Sequence, residues 1–217
     1  MQARVFYLFS RFIYSAKTII QSQVSGDLVS SILTGMQDLL VVNATLNTDS
    51  PSDATLTKAA STASSFDAQL YLFETVGTLI SVLNQIPQQQ VTLLRAVLTP
   101  LLSGLQSNMR STAKTEADYN AVYEAHHQMM AVGNVAKGFP DLSSRTPTAT
   151  GEWVGVFKEA TEGILTVAKT MDGFVIIREA VSFSPCSSRC AVLIDDRDRL
   201  ASRSIGLSVR QERRCCR

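Results

Sequence analysis

The chain has 217 residues, 45% hydrophobic, 7% aromatic and 18% charged, with a formal net charge of +1. A balance so near neutrality excludes whole-chain electrostatic attraction to nucleic acid or to a membrane surface, and the aliphatic-rich composition points to contacts spread along helices. No run approaches the ~18–20 uninterrupted apolar residues that span a bilayer.

The near-neutral total conceals an asymmetry. Residues 1–181 carry 12 Lys+Arg against 15 Asp+Glu, a net of −3, while residues 182–217 carry 8 Arg against 4 acids, a net of +4. All four cysteines (Cys186, Cys190, Cys215 and Cys216) also fall in that tail. The body therefore has no disulfide framework, which suits a reducing compartment.

Residues 4–20 and 27–43 read as a helical hairpin, with Gly26 breaking the first helix and Asp27 placed to cap the second. Val5, Phe9, Phe12, Ala16 and Ile19 share one face of the first helix, and Leu28, Ile32, Met36 and Leu39 form a stripe on the second. Arg4, Arg11 and Lys17, with no acid before Asp27, loosely resemble a mitochondrial presequence. The apolar face flows into a second helix without a cleavage-like break, so no targeting role is assigned. From Thr45 to Ser65, ten of 21 residues are Ser or Thr, with Pro51 among them. So little apolar area cannot offset the entropy of ordering, and an exposed or disordered loop is expected.

Leu72, Val76, Leu79, Leu83 and Ile86 make the stripe of a third helix, widened by Phe66, Leu70, Phe73 and Ile80, and Pro87 is expected to stop it. Val91, Leu94, Leu98, Leu101 and Leu105 make the next stripe, antiparallel to the last across a tight turn, with a bend expected at Pro100. A further helix runs from about Thr115 through Tyr119, Val122, Tyr123 and Met130 to Val135. Glu116 and Asp118 suit its positive end, and Lys137, a left-handed Gly138 and Pro140 are expected to close it. After the polar link DLSSRTPTATG, Trp153, Phe157, Ala160, Ile164, Val167 and Met171 define another helix, and FVIIREAVSF begins a last one. Paired amphipathic helices at irregular intervals of roughly 40–60 residues fit an all-α, HEAT- or armadillo-type α-solenoid. A compact helical bundle is the alternative.

Catalytic chemistry finds no foothold. No GxSxG, P-loop or dinucleotide fingerprint occurs, so no catalytic residue and no cofactor is assigned. The C-x3-C spacing followed by an adjacent pair is poor for zinc. His126 and His127 are the only histidines. As neighbours on a helix they point about 100° apart, and His126, nearer the apolar stripe, is expected to be an interior, hydrogen-bonded histidine. Glu124 beside it is weak support for acid–base work. Arg110 and Lys114 cluster at the end of a central helix, with Arg95 four turns back, a group that reads as a solvated helix end before it reads as an RNA contact.

The words FDAQLYLFETVGTLIS, VLTPLLSGLQ and HHQMMAVGNVAKGFPD, in that order and spacing, resemble the exportin-T family of the importin-β (karyopherin) superfamily. RVFYLFSRFIYSAK with ILTGMQDLL before them, and FKEATEGILTVAK after them, extend the likeness over about residues 3–181. The resemblance implies an internal segment of a HEAT-repeat receptor that carries tRNA from nucleus to cytoplasm with Ran in its GTP form, shuttling between the two. Nucleoporins are compatible further partners, and a membrane is not. The likeness supplies no residue-level signature, so no tRNA-binding or Ran-binding residue is assigned. Residues 182–217 depart from the family pattern and read as an irregular Arg- and Cys-rich tail of shifted or truncated origin. A protein-binding HEAT scaffold without RNA, or a truncated nonfunctional fragment, stands as the alternative reading.

Overall fold

The computed structural model describes residues 2–23, 26–48, 50–62, 64–109, 116–140 and 151–183. Its helices are α1 (Gln2–Gln23), α2 (Gly26–Met36), α3 (Asp53–Ser61), α4 (Ser64–Ser81), α5 (Pro87–Asn108), α6 (Glu116–Lys137), α7 (Trp153–Thr170) and α8 (Val175–Phe183). Among the described residues there is no strand. The chain is all-α.

The helices form two layers. α1, α4, α6 and α8 pack side by side in one, and α2, α5 and α7 lie over them in the other. Within their layers α4 and α6 run the same way, as do α5 and α7. On α4 and α6, Phe66 meets His127 and, eleven residues further along α4, Gly77 meets Val135. On α5 and α7, Gln88 pairs with Glu152 and Arg95 with Glu159, each pair 64 residues apart. Same-direction neighbours whose chain returns through the other layer are the arrangement of a helical solenoid, where each pair buries its apolar face only by stacking on the next.

The stripes of α5 and α7 are buried as their spacing demands: Leu94, Leu98, Leu101 and Leu105 on one, Trp153, Phe157, Ala160, Ile164, Val167 and Met171 on or beside the other. α4 and α6 bury Leu72, Phe73, Val76, Leu79, Ile80, Val122, Met129, Val132 and Val135 between their neighbours. α5 continues through Pro100 from Pro87 to Asn108.

Several sequence expectations are corrected. The first two helices do not pair as a hairpin: α1 packs on α4, while α2 touches α4 and α5. The faces differ as well. α1 buries Phe6 and Ile13 and leaves Val5, Phe12 and Ile19 exposed, and α2 buries Val29, Leu33 and Met36 and leaves Leu28 exposed. The second helix ends at Met36; a 3-10 turn, Gln37–Leu40, follows, and Leu39 points to solvent. α4 stops at Ser81, before Pro87, because the N–H groups of Leu83 and Ile86 turn back to Ile80 and Leu83. Buried Gln90 then donates to the Ile80 and Ser81 carbonyls at 3.0 and 3.3 Å, satisfying acceptors the helix end leaves open. Ile86 is exposed in consequence.

The Ser/Thr-rich stretch holds a helix, α3, where a loop was expected. Ser52 caps it: its Oγ accepts from the Thr55 N–H, while Thr55 Oγ1 accepts from the Ser52 N–H, a complete capping box. Leu56 is the anchor, 1% exposed, and α3 packs on α6 and α8. The segment before it is also tied down, with Val42 and Leu46 buried and the Leu46 N–H donating to Asn120 Oδ1 at 2.7 Å. Hydroxyls here serve local caps, so a few apolar anchors suffice.

Gly138 does close α6, but not in the left-handed conformation. Its φ lies outside that region. A Cβ at Gly138 would overlap the Thr78 amide nitrogen, and one at Gly77 would overlap the Val135 carbonyl oxygen. Both glycines are there because α4 and α6 meet backbone to backbone.

Candidate functional site

A groove of about 650 Å³ opens where α2, the 3-10 turn and the extended residues after it face α5 and α6. Leu33 of α2, Leu40 and Val42 after it, and Leu93, Val97 and Leu101 of α5 form its carbon walls. Glu124 and Gln128 of α6 reach into it, with Gln128 Nε2 donating to Glu124 Oε1 at 2.9 Å. Gly104 makes room for them, since a Cβ there would overlap the Gln128 amide.

The groove's outer wall is held in place by α4. Gln69 Nε2 donates to the carbonyls of Leu39 and Val41, at 2.7 and 3.0 Å. On the α5 side, Pro100 has no N–H to give the Ala96 carbonyl one turn earlier, and both residues line the groove. Among the described residues the lining thus offers apolar area, acceptors and one carboxylate, and contains no Lys or Arg. Such a surface suits a peptide or another apolar group; a phosphate backbone requires cations. No motif in the sequence pointed to it, because its walls come from three segments far apart in the chain.

The candidate residues from the sequence do not converge. His127, not His126, is the interior histidine. Its Nδ1–H donates to the Tyr123 carbonyl at 2.9 Å, and its ring lies between Phe66 and Tyr123, with centroids at 3.9 and 4.3 Å. The two imidazoles also turn towards each other, Nδ1 to Nδ1 at 3.5 Å. Burial, and then the neighbouring His127, push His126 down to about pH 4. Burial also lowers His127, against the opposing pull of the Tyr123 carbonyl and Asp67. Both are neutral near pH 7, a pair built into the α4–α6 seam.

Among the described residues no group of three or more His, Cys, Asp or Glu is placed to hold a metal ion. The four cysteines, Arg110, Lys114 and the tail from residue 184 lie outside the described residues. Arg95 is engaged: its two terminal nitrogens meet both Glu159 oxygens at 2.8 and 3.0 Å. Each partner holds the other's charge, and the pair is more than half exposed. No helix of the described chain is long and apolar enough to cross a membrane.

Comparison with known proteins follows the helices through the whole described region. The family model described as Exportin-T matches residues 1–194, past the point at residue 181 where the likeness read from the sequence stops. Among curated proteins, the Exportin-T of Mycosarcoma maydis is 40% identical over 189 residues, covering 86% of this chain and 17% of that protein. The Exportin-T of Laccaria bicolor is 34% identical over 188 residues, with 84% and 17% covered. That of Coprinopsis cinerea is 33% identical over 184 residues, with 83% and 17% covered. The chain thus spans about a sixth of the length of these relatives.

Proposed function

This chain belongs to the exportin-T family, and from that membership we propose that it serves as a helical-repeat segment of a nuclear export receptor. The cargo in this reading is tRNA, taken up with Ran-GTP in the nucleus and released in the cytoplasm, with the protein shuttling between them. The observation that carries it is the stacked register of α5 on α7 and α4 on α6 within the span of the family match. Such stacking yields an extended surface on which a large, folded cargo is gripped by shape. No catalysis is invoked. The repeat array occupies residues 1–181 in this reading, with the Arg- and Cys-rich tail, residues 182–217, after it; α8 runs two residues into that tail, to Phe183.

A mobility-shift titration of tRNA against the 217-residue chain, with and without Ran-GTP, tests the proposal, with the Mycosarcoma maydis protein alongside as comparator. The expected result is a tRNA shift by the chain that strengthens with Ran-GTP and weakens with salt. A shift by the comparator and none by the chain overturns tRNA carriage by this segment.

A specific observation favours a second reading, a repeat scaffold that grips protein: the groove between α2, α5 and α6 has apolar walls, a carboxylate and, among the described residues, no cation. Under it, protein cargo is retained by the chain in a pull-down that nuclease treatment leaves unchanged.

A further inference from the structure

The groove over α6 lies within the stack and not at either end of it, since its walls come from α2 and α5, neighbours in one layer, and its floor from the other layer. Among the described residues, the one charged side chain lining it is Glu124, half-buried on that floor. Glu124 Oε1 accepts from Gln128 Nε2 at 2.9 Å. Gln128 is 4% exposed, and its own Oε1 accepts from Asn108 Nδ2 at 3.4 Å, so the amide is held in one orientation. A neutral donor leaves the charge of Glu124 in place. Arg95, on the helix that forms one wall, is spent on Glu159 of α7 instead.

A carboxylate at the floor of a mainly apolar cleft is costly to desolvate without a cation. The walls decide which cation fits. Leu33 and Val42 on one side and Leu93 and Val97 on the other are carbon surfaces. A bare ion gains nothing from them, whereas the four-carbon stem of a lysine buries along them and carries its charge to the floor. The fork of an arginine binds best to two open carboxylate oxygens. One oxygen of Glu124 is already engaged by Gln128, so the point charge of an ammonium suits it better. The Ala96 carbonyl, which Pro100 leaves without its helical donor, lines the same cleft and offers a further acceptor.

We infer that this groove takes a lysine side chain from an extended segment of a partner protein. The stem lies between α2 and α5, the ammonium meets Glu124, and apolar residues two positions to either side seat along the same walls. An extended chain turns residues i and i+2 to one side, which sets that spacing, and about 650 Å³ holds more than one side chain. This rests on the protein-gripping reading of the groove and adds the chemistry of what is gripped. An RNA backbone would set phosphates against Glu124.

The test uses the full 217-residue chain and labelled nine-residue peptides centred on Leu-Ser-Lys-Ser-Leu. Norleucine replaces the lysine in a second peptide, keeping the stem and removing the ammonium, and phenylalanine replaces it in a third. Fluorescence anisotropy at low salt is expected to give the lysine peptide about fivefold to tenfold tighter binding than either. Glu124→Gln, close to isosteric, removes that advantage and leaves the norleucine peptide unchanged. Ala96→Tyr, at an exposed position lining the groove, fills it and weakens all three peptides at least about tenfold, with helix content unchanged by circular dichroism. Norleucine or phenylalanine binding as tightly as lysine, or a lysine advantage that survives Glu124→Gln, overturns the inference. So does a lysine preference that emerges only with Arg110→Gln and Lys114→Gln, since the chain's own cations then occupy the groove. The pull-down keeps the two readings apart. Retained protein that Ala96→Tyr releases and Glu124→Gln does not leaves protein gripping in place and removes the lysine, whereas no retained protein and no peptide binding removes both.

Discussion

Gly77 of α4 sits directly against the carbonyl oxygen of Val135 on α6, and that same oxygen accepts the Gly138 N–H at 3.2 Å. One acceptor thus lies where two helices touch through their backbones. The neighbouring layer contacts, Phe66 against His127 and Tyr119 against Phe174, spread outward from this seam.

Gly77→Ala is expected to destabilise the chain by about 1–3 kcal/mol, because the new methyl meets backbone that no rotamer change relieves. The gain in helix propensity, up to about 1 kcal/mol, does not offset it. Gly155→Ala is the contrast, since a Cβ there meets nothing within 4 Å; it should be neutral or stabilising by up to about 1 kcal/mol. Urea denaturation of the two variants reads the difference, and equal effects would refute the backbone-contact account.

Acid should loosen the α4–α6 seam before it protonates most carboxylates. His126 is held at about 4 in the folded chain and sits near 6.5 when unfolded, so the unfolded state binds the extra proton. Stability therefore rises with pH through the window between those values and is lost as pH falls through it. His126 alone accounts for roughly 3 kcal/mol across that window, and the lowered His127 adds in the same direction. His126→Asn should flatten the dependence of the denaturation midpoint between pH 6.5 and 4.

Leu56→Ala should cost about 2–5 kcal/mol, a buried leucine deleted from a packed contact. Ser52→Ala, which removes the capping box of the same helix, should cost about 1 kcal/mol. If hydrogen exchange across residues 53–61 is as fast in the parent as in Leu56→Ala, α3 is not anchored as described.

The Arg95–Glu159 pair should matter little. Both side chains are more than half exposed, and exposed pairs are weakened by solvent and salt. A double-mutant cycle should find a small favourable coupling at low salt that vanishes in 1 M NaCl, while the α5–α7 contact survives on the buried stripes.

The sequence by itself determined which segments of α4, α5, α6 and α7 are helical and, for the most part, which face of each is buried. Leu94 to Leu105 and Trp153 to Met171 have one apolar stripe each, so only one orientation removes it from water. It also held the words by which the family is identified. The tertiary structure decided what a single periodicity leaves open. α1 is apolar over two adjacent arcs, and only its docking on α4 selected Phe6 and Ile13 over Val5, Phe12 and Ile19. Gly138 looked like a helix stop on local grounds, yet it is small because Thr78, sixty residues away, presses against it. Leu56 had too few apolar neighbours in sequence to announce a helix, and it gained them from α6 and α8. The groove, with walls drawn from α2, α5 and α6, exists only once those layers have stacked. In each case the deciding contact joins residues distant along the chain, and no local pattern encodes which neighbour arrives.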